Sequence, residues 1–137
     1  YLKSIFPDAI FINVVRNQGA TVRSLLKVPF WKELGMHQIW WQGAYTEAEL
    51  QYFASIRHDP EAATTFQLQK VLKTTTQEAQ QTKANMLTVH YEDFLNDPAA
   101  VVARILRETG LQESEWINRK LLLTPVHNRN LSPSAHA

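Results

Sequence analysis

Cysteine is missing from this chain of 137 residues. Disulfides, thiol nucleophiles and thiolate–zinc sites are therefore excluded, although this does not fix the compartment. An excess of one charge is missing too: 14 basic residues against 13 acidic leave a formal charge of +1. So balanced a chain is not expected to bind nucleic acid in general, and any anion site in it must be local. No apolar run approaches the length of a membrane span, so no membrane partner is expected. The opening Tyr1-Leu2-Lys3-Ser4 has neither the charged nor the apolar region of a signal peptide. It also lacks an initiator Met, so the coding sequence is expected to begin further upstream. A cytoplasmic location is the default for such a chain. Of the five histidines, His37, His58, His90, His127 and His136, none stands at a metal-ligand spacing such as H-E-x-x-H. No metal site is expected. There is no G-x-S-x-G, which argues against a serine hydrolase. No G-x-G-x-x-G follows a strand.

What is present is ordinary for a globular protein: 45% apolar and 20% charged residues. The length fits a single domain, 1–137, able to bury a core. Residues 1–6 are expected to end a helix, and Phe6-Pro7-Asp8 is a turn signal. The run Ala9-Ile10-Phe11-Ile12-Asn13-Val14-Val15 is apolar and rich in β-branched residues, which predicts a strand buried on both faces of a parallel sheet. After the tight connection Arg16–Gly19, a helix reaches to about Lys27, with Val22, Leu25 and Leu26 as its apolar stripe. Residues 29–45 are aromatic-rich and irregular. Thr46 followed by Glu49 predicts a capped helix to about Ile56. A long helix is predicted over 61–83, weakened locally by Thr74-Thr75-Thr76. Asn85 to Tyr91 reads as a second strand. Asp97 and Pro98 open a further helix, which Gly110 ends. A last short helix spans Glu113 to Leu121. Two strands each followed by a helix imply an α/β fold with a parallel sheet flanked by helices. Two strands are too few for such a sheet, so its partners are expected from missing N-terminal sequence, from another chain, or from segments that fold otherwise than predicted.

Chemistry points to one stretch, Val14 to Ser24. Ligands of parallel sheets bind beyond the carboxyl ends of the strands, where Arg16 stands. The following helix turns free N–H groups and a positive dipole end toward any nearby anion. At about 100° per residue, Ala20, Arg23, Ser24 and Lys27 share one arc opposite the apolar stripe. With Arg16, that arc suits a phosphate, which arginine grips bidentately and serine assists as a neutral donor. The competing reading is a solvated helix face beside a structural arginine. The aromatic pair Trp40-Trp41 is read either as the wall of an acceptor pocket or, preferably, as core. His37, in the same segment, is a candidate lining residue.

The order of these features resembles the sulfotransferases that use 3′-phosphoadenosine 5′-phosphosulfate (PAPS). The likeness lies in Phe6-Pro7-Asp8-Ala9, a strand, Arg16 at its end, and Ser24 eight residues later. A second match is Val89-His90-Tyr91-Glu92-Asp93-Phe94, then Asp97-Pro98, then Thr109-Gly110-Leu111. Together these cover most of residues 1–123. The resemblance implies a P-loop-NTPase-like fold, here N-terminally truncated and helix-rich. It assigns Arg16 and Ser24 to the cofactor's 3′-phosphate, with Arg23 on the same arc. Tyr91, Glu92 and Asp93 match a segment taken as structural. Asn128-Arg129-Asn130 falls about where the family has a basic loop near the 3′-phosphate, which makes Arg129 a candidate; an exposed tail arginine is the alternative.

The resemblance also shows what is not there. The lysine-bearing loop that cradles the 5′-phosphosulfate in the family is absent, and so is its catalytic base. No residue of this chain is therefore assigned a catalytic role, and the bare chain is expected to be inactive. Two functions follow. One is a sulfotransferase holding PAPS and an unidentified hydroxyl or amine acceptor. The other is a non-catalytic module that binds a nucleotide or oligomerises with its own copies through an unpaired sheet edge.

Overall fold

The computed structural model describes residues 1–40 and 42–123. In chain order its regular elements are α1 (Leu2–Ile5), β1 (Ile10–Val15), α2 (Gln18–Leu25), a π-helical turn (Trp31–Gly35), a 3-10 turn (Gln42–Ala44), α3 (Glu47–Ile56), α4 (Pro60–Gln81), β2 (Asn85–His90), α5 (Tyr91–Asn96), α6 (Pro98–Thr109) and α7 (Glu115–Leu123). They fall into two compact units: Tyr1–Arg16 together with the chain from Thr82 onward, and Asn17–Gln81. The class is a helix-rich α/β fold.

The first unit holds the sheet. β1 and β2 pair in parallel, in register from Ile10 opposite Asn85 to Val15 opposite His90. Parallel neighbours need a long crossover rather than a hairpin, and here residues 16–84 supply it. Leu87, Val89 and Val101 form the core, with Ile10, Phe94 and Ile105 packed against it. α6 is set over β2 by strong punctuation. The Asp97 carboxylate accepts from the Ala100 N–H at 2.9 Å, Pro98 occupies the first turn, and Gly110 closes the helix at φ 72°. That left-handed φ suits glycine. The Arg104 guanidinium donates to the Thr88 carbonyl and pairs with Glu108 at 3.3 Å.

One expectation fails in this unit. β1 is not buried on both faces: Ile12 is 47% exposed and Val14 62%. The core gathers under β2 and takes in Ile10 alone from β1. Among the described residues β1 pairs with β2 alone, and its other edge is open.

The second unit is helical. α2 buries Val22 and packs on α4. α3 carries the predicted capping box: the Glu49 N–H donates to Thr46 Oγ1 at 3.3 Å, and the Thr46 N–H to Glu49 Oε2 at 2.8 Å. α4 starts at Pro60, where the Asp59 carboxylate accepts from the N–H groups of Glu61 and Ala62. It runs unbroken through Thr74-Thr75-Thr76, and the Thr76 hydroxyl donates back to the Leu72 carbonyl at 3.0 Å. Phe66 on α4 is ringed by Tyr45, Tyr52 and Phe53 at centroid distances of 5.8, 5.3 and 6.1 Å. Trp40 does not close the core. It leans on Phe30 at 5.2 Å, and both rings stay substantially exposed. Trp41 lies outside the described residues.

An ion pair ties α3 to α4. Lys70 Nζ reaches both oxygens of Glu49, at 2.8 and 2.7 Å. The Lys70 hydrogen bonds, and after them the Thr46 N–H, hold the Glu49 carboxyl below its ordinary 4.5. A carboxyl lowered by folding stabilises the fold above its unfolded value and loses that contribution as the pH falls through its folded value. Glu49→Gln is therefore expected to be less stable than wild type near neutrality, and the gap should close as the pH drops below 4.5. Urea unfolding of both proteins across that range measures it. A gap indifferent to pH would assign Glu49 a packing role.

Candidate functional site

Val15 and His90 are paired in the parallel register, so the next residue of each strand leaves the sheet at the same edge. Those residues are Arg16 and Tyr91. The Arg16 guanidinium lies over the Tyr91 ring, with Cζ 4.8 Å from its centroid. This is cation–π distance. Arg16 Nη2 is buried and has no hydrogen-bond partner among the described residues. A buried charged donor left unmatched is unfavourable by at least about 1–3 kcal/mol, so the atom is suited to an anionic acceptor. The carboxyl edge of a parallel sheet is where ligands of such folds bind.

Tyr91 is not the last residue of a strand, as the sequence suggests, but the first of α5. Glu92 and Asp93 follow in its first turn, where negative charge favours the helix. Phe94 turns inward to the core. The Tyr-Glu-Asp segment thus divides between an aromatic contact to Arg16 and a helix start.

Ser24 and Arg23 belong to the second unit, on α2. Asn17 caps that helix, its side chain accepting from the Ala20 N–H at 3.0 Å, and the Thr21 hydroxyl donates to the Asn17 carbonyl. Ser24 is half-buried, whereas Arg23 and Lys27 are exposed. A Cβ at Gly19 would stand 3.4 Å from Arg23 Nη1. The Arg23 guanidinium therefore reaches back along α2 toward its N-terminal turn, the end where the dipole is positive. Arg16 and Ser24 are thus each placed on the elements expected for them, within separate units. Arg129 lies outside the described residues.

His37 is exposed, with Nε2 3.1 Å from the Lys32 carbonyl oxygen. It lines none of the described cavities. A cavity of about 220 Å³ lies instead beside Tyr45, Lys70, Thr75 and Glu78. Tyr45 there has a buried hydroxyl without a partner among the described residues, and burial, reinforced by the charge of Glu49, pushes its pKa upward. Sequence reading misses this cluster, because Lys70 stands 21 positions from Glu49 and no local pattern links them. No group of three metal-ligating side chains occurs among the described residues. No helix among them is long and apolar enough to cross a membrane.

A model of the sulfotransferase family matches residues 1–115. The chain belongs to that family. No curated protein and no solved structure matches it.

Proposed function

We propose that this chain holds the 3′-phosphoadenosine part of PAPS, on a fold of P-loop-NTPase type, within a sulfotransferase acting on a hydroxyl or amine acceptor. The observation that carries the reading is the buried, unmatched Nη2 of Arg16 at the carboxyl edge of the sheet. Arg16 supplies a permanent cation with in-plane donors suited to phosphate oxygens. Ser24 adds a neutral donor, and Arg23 adds charge at the positive end of α2. PAPS, when bound, supplies the sulfuryl group that is transferred. The residues named here bind and orient the nucleotide, and orientation contributes much of the rate in group transfer. None of them makes or breaks the bond.

The test is calorimetric titration with adenosine 3′,5′-bisphosphate and, in parallel, with adenosine 5′-monophosphate. The bisphosphate should bind at least about tenfold more tightly, since a charge-assisted phosphate contact is worth roughly 1.5–3 kcal/mol. Equal affinities, or no binding of the bisphosphate by folded protein, would refute the site. A second reading rests on the open edge of β1 and the exposed Ile12 and Val14. On that reading the chain assembles with its own copies, which sedimentation would reveal as a concentration-dependent oligomer.

A further inference from the structure

We propose that Tyr91 is a positioning residue: its ring holds the Arg16 guanidinium in place for a phosphate without neutralising it. This deepens the reading of Arg16 as the phosphate ligand and rests on it. Three observations carry it. Arg16 Cζ stands 4.8 Å from the Tyr91 centroid. Arg16 takes part in neither of the ion pairs formed among the described residues, Lys70–Glu49 and Arg104–Glu108. Its Nη2 is buried and, among those residues, unmatched.

A long, flexible arginine pays a rotamer entropy when it grips a ligand, and prior ordering reduces that loss. A carboxylate partner would order the side chain too, but it would cancel the charge and compete with phosphate for the same N–H donors. An aromatic ring attracts the cation through its quadrupole and carries no net charge. The arginine is then ordered and still cationic. The register makes the pairing dependable, since Val15 and His90 lie opposite each other and deliver the next residues to one edge. Tyr91 also begins α5, so its backbone is fixed by a helix on one side and a strand on the other.

The hydroxyl has no part in this, which defines the test. Wild type, Tyr91→Phe and Tyr91→Leu are titrated with adenosine 3′,5′-bisphosphate, each also in an Arg16→Ala background. Tyr91→Phe should bind within about twofold of wild type, and Tyr91→Leu roughly 3- to 10-fold more weakly. In the Arg16→Ala background, Tyr91→Leu should produce no further loss. Independently of ligand, the Arg16 Nε–H proton resonance should be shifted upfield by the ring in wild type and Tyr91→Phe, and return to the ordinary arginine position in Tyr91→Leu. Wild-type affinity in Tyr91→Leu would overturn the proposal while leaving the Arg16 site standing. So would a loss that persists without Arg16, since the ring would then act on the nucleotide or on the fold directly. Failure of folded wild type to bind the bisphosphate would remove the Arg16 site, and the positioning role with it.

Discussion

Arg16→Ala is expected to weaken binding of adenosine 3′,5′-bisphosphate by about 10- to 150-fold, equivalent to roughly 1.5–3 kcal/mol. Binding of adenosine 5′-monophosphate should change little, so the variant should lose most of its preference for the 3′-phosphate. The size follows from the chemistry of the contact. A guanidinium offers parallel N–H donors to phosphate oxygens, and such charged bonds are about twice as strong as neutral ones. Arg16 Nη2 is buried and has no acceptor among the described residues, so a phosphate would supply the partner that they do not. The fold should survive the change. Arg16 contributes one aromatic contact to the first unit and no ion pair among the described residues. Isothermal calorimetry measures the effect, with circular dichroism to verify folding. An unchanged affinity ratio between the two nucleotides would exclude Arg16 as the phosphate ligand.

The second large effect concerns stability. Gly35→Ala is expected to lower the unfolding free energy by about 2–4 kcal/mol. Gly35 ends the π-helical turn, and a Cβ there would stand 2.2, 2.6 and 2.8 Å from three atoms of the Trp31 ring. No side chain accommodates such distances without movement. The indole is not free to move, since its Nε1–H donates to Thr64 Oγ1 at 2.8 Å, and Thr64 is fully buried at 0% exposure. Displacing the ring adds an orphaned hydroxyl to the overpacking. The Gly35 carbonyl also accepts from the buried Gln67 amide at 2.9 Å, so the backbone is held as well. Urea unfolding followed by circular dichroism tests this. Wild-type stability in Gly35→Ala would mean that the Trp31 ring does not occupy that space.

These two residues show what a sequence discloses and what it conceals. The strand before Arg16 was legible, because a run of β-branched apolar residues bounded by a turn signal has few alternatives. The ends of α3 and α6 were legible for the same reason: Thr46 with Glu49, Asp97 with Pro98, and Gly110 are local solutions to the unpaired groups at helix ends. Arg16 and Ser24 could be picked out as candidates by their distance along the chain. The contact between Arg16 and Tyr91 was not legible, since it depends on the register between strands far apart in sequence. Gly35 was equally silent, because its necessity comes from where the Trp31 ring lies. The burial of β1 is not legible either: composition shows that Ile12 and Val14 are apolar, but not what covers them.

Two parallel strands cannot be joined by a tight turn, and the chain between Val15 and Asn85 must be closed before Arg16 and Tyr91 can meet. Closing a long loop carries an entropic penalty that precedes any reward from the contact, and sheets built from such distant pairs are slow to form. The compact unit Asn17–Gln81 lies wholly within that excursion, with its own buried aromatics and capped helices. Its order can arise from contacts nearer in sequence, which leaves a shorter effective distance for the strands to close. The guanidinium and the ring are therefore brought together by a pairing of strands far apart in sequence, and the arginine is oriented only in a chain whose two strands have found each other.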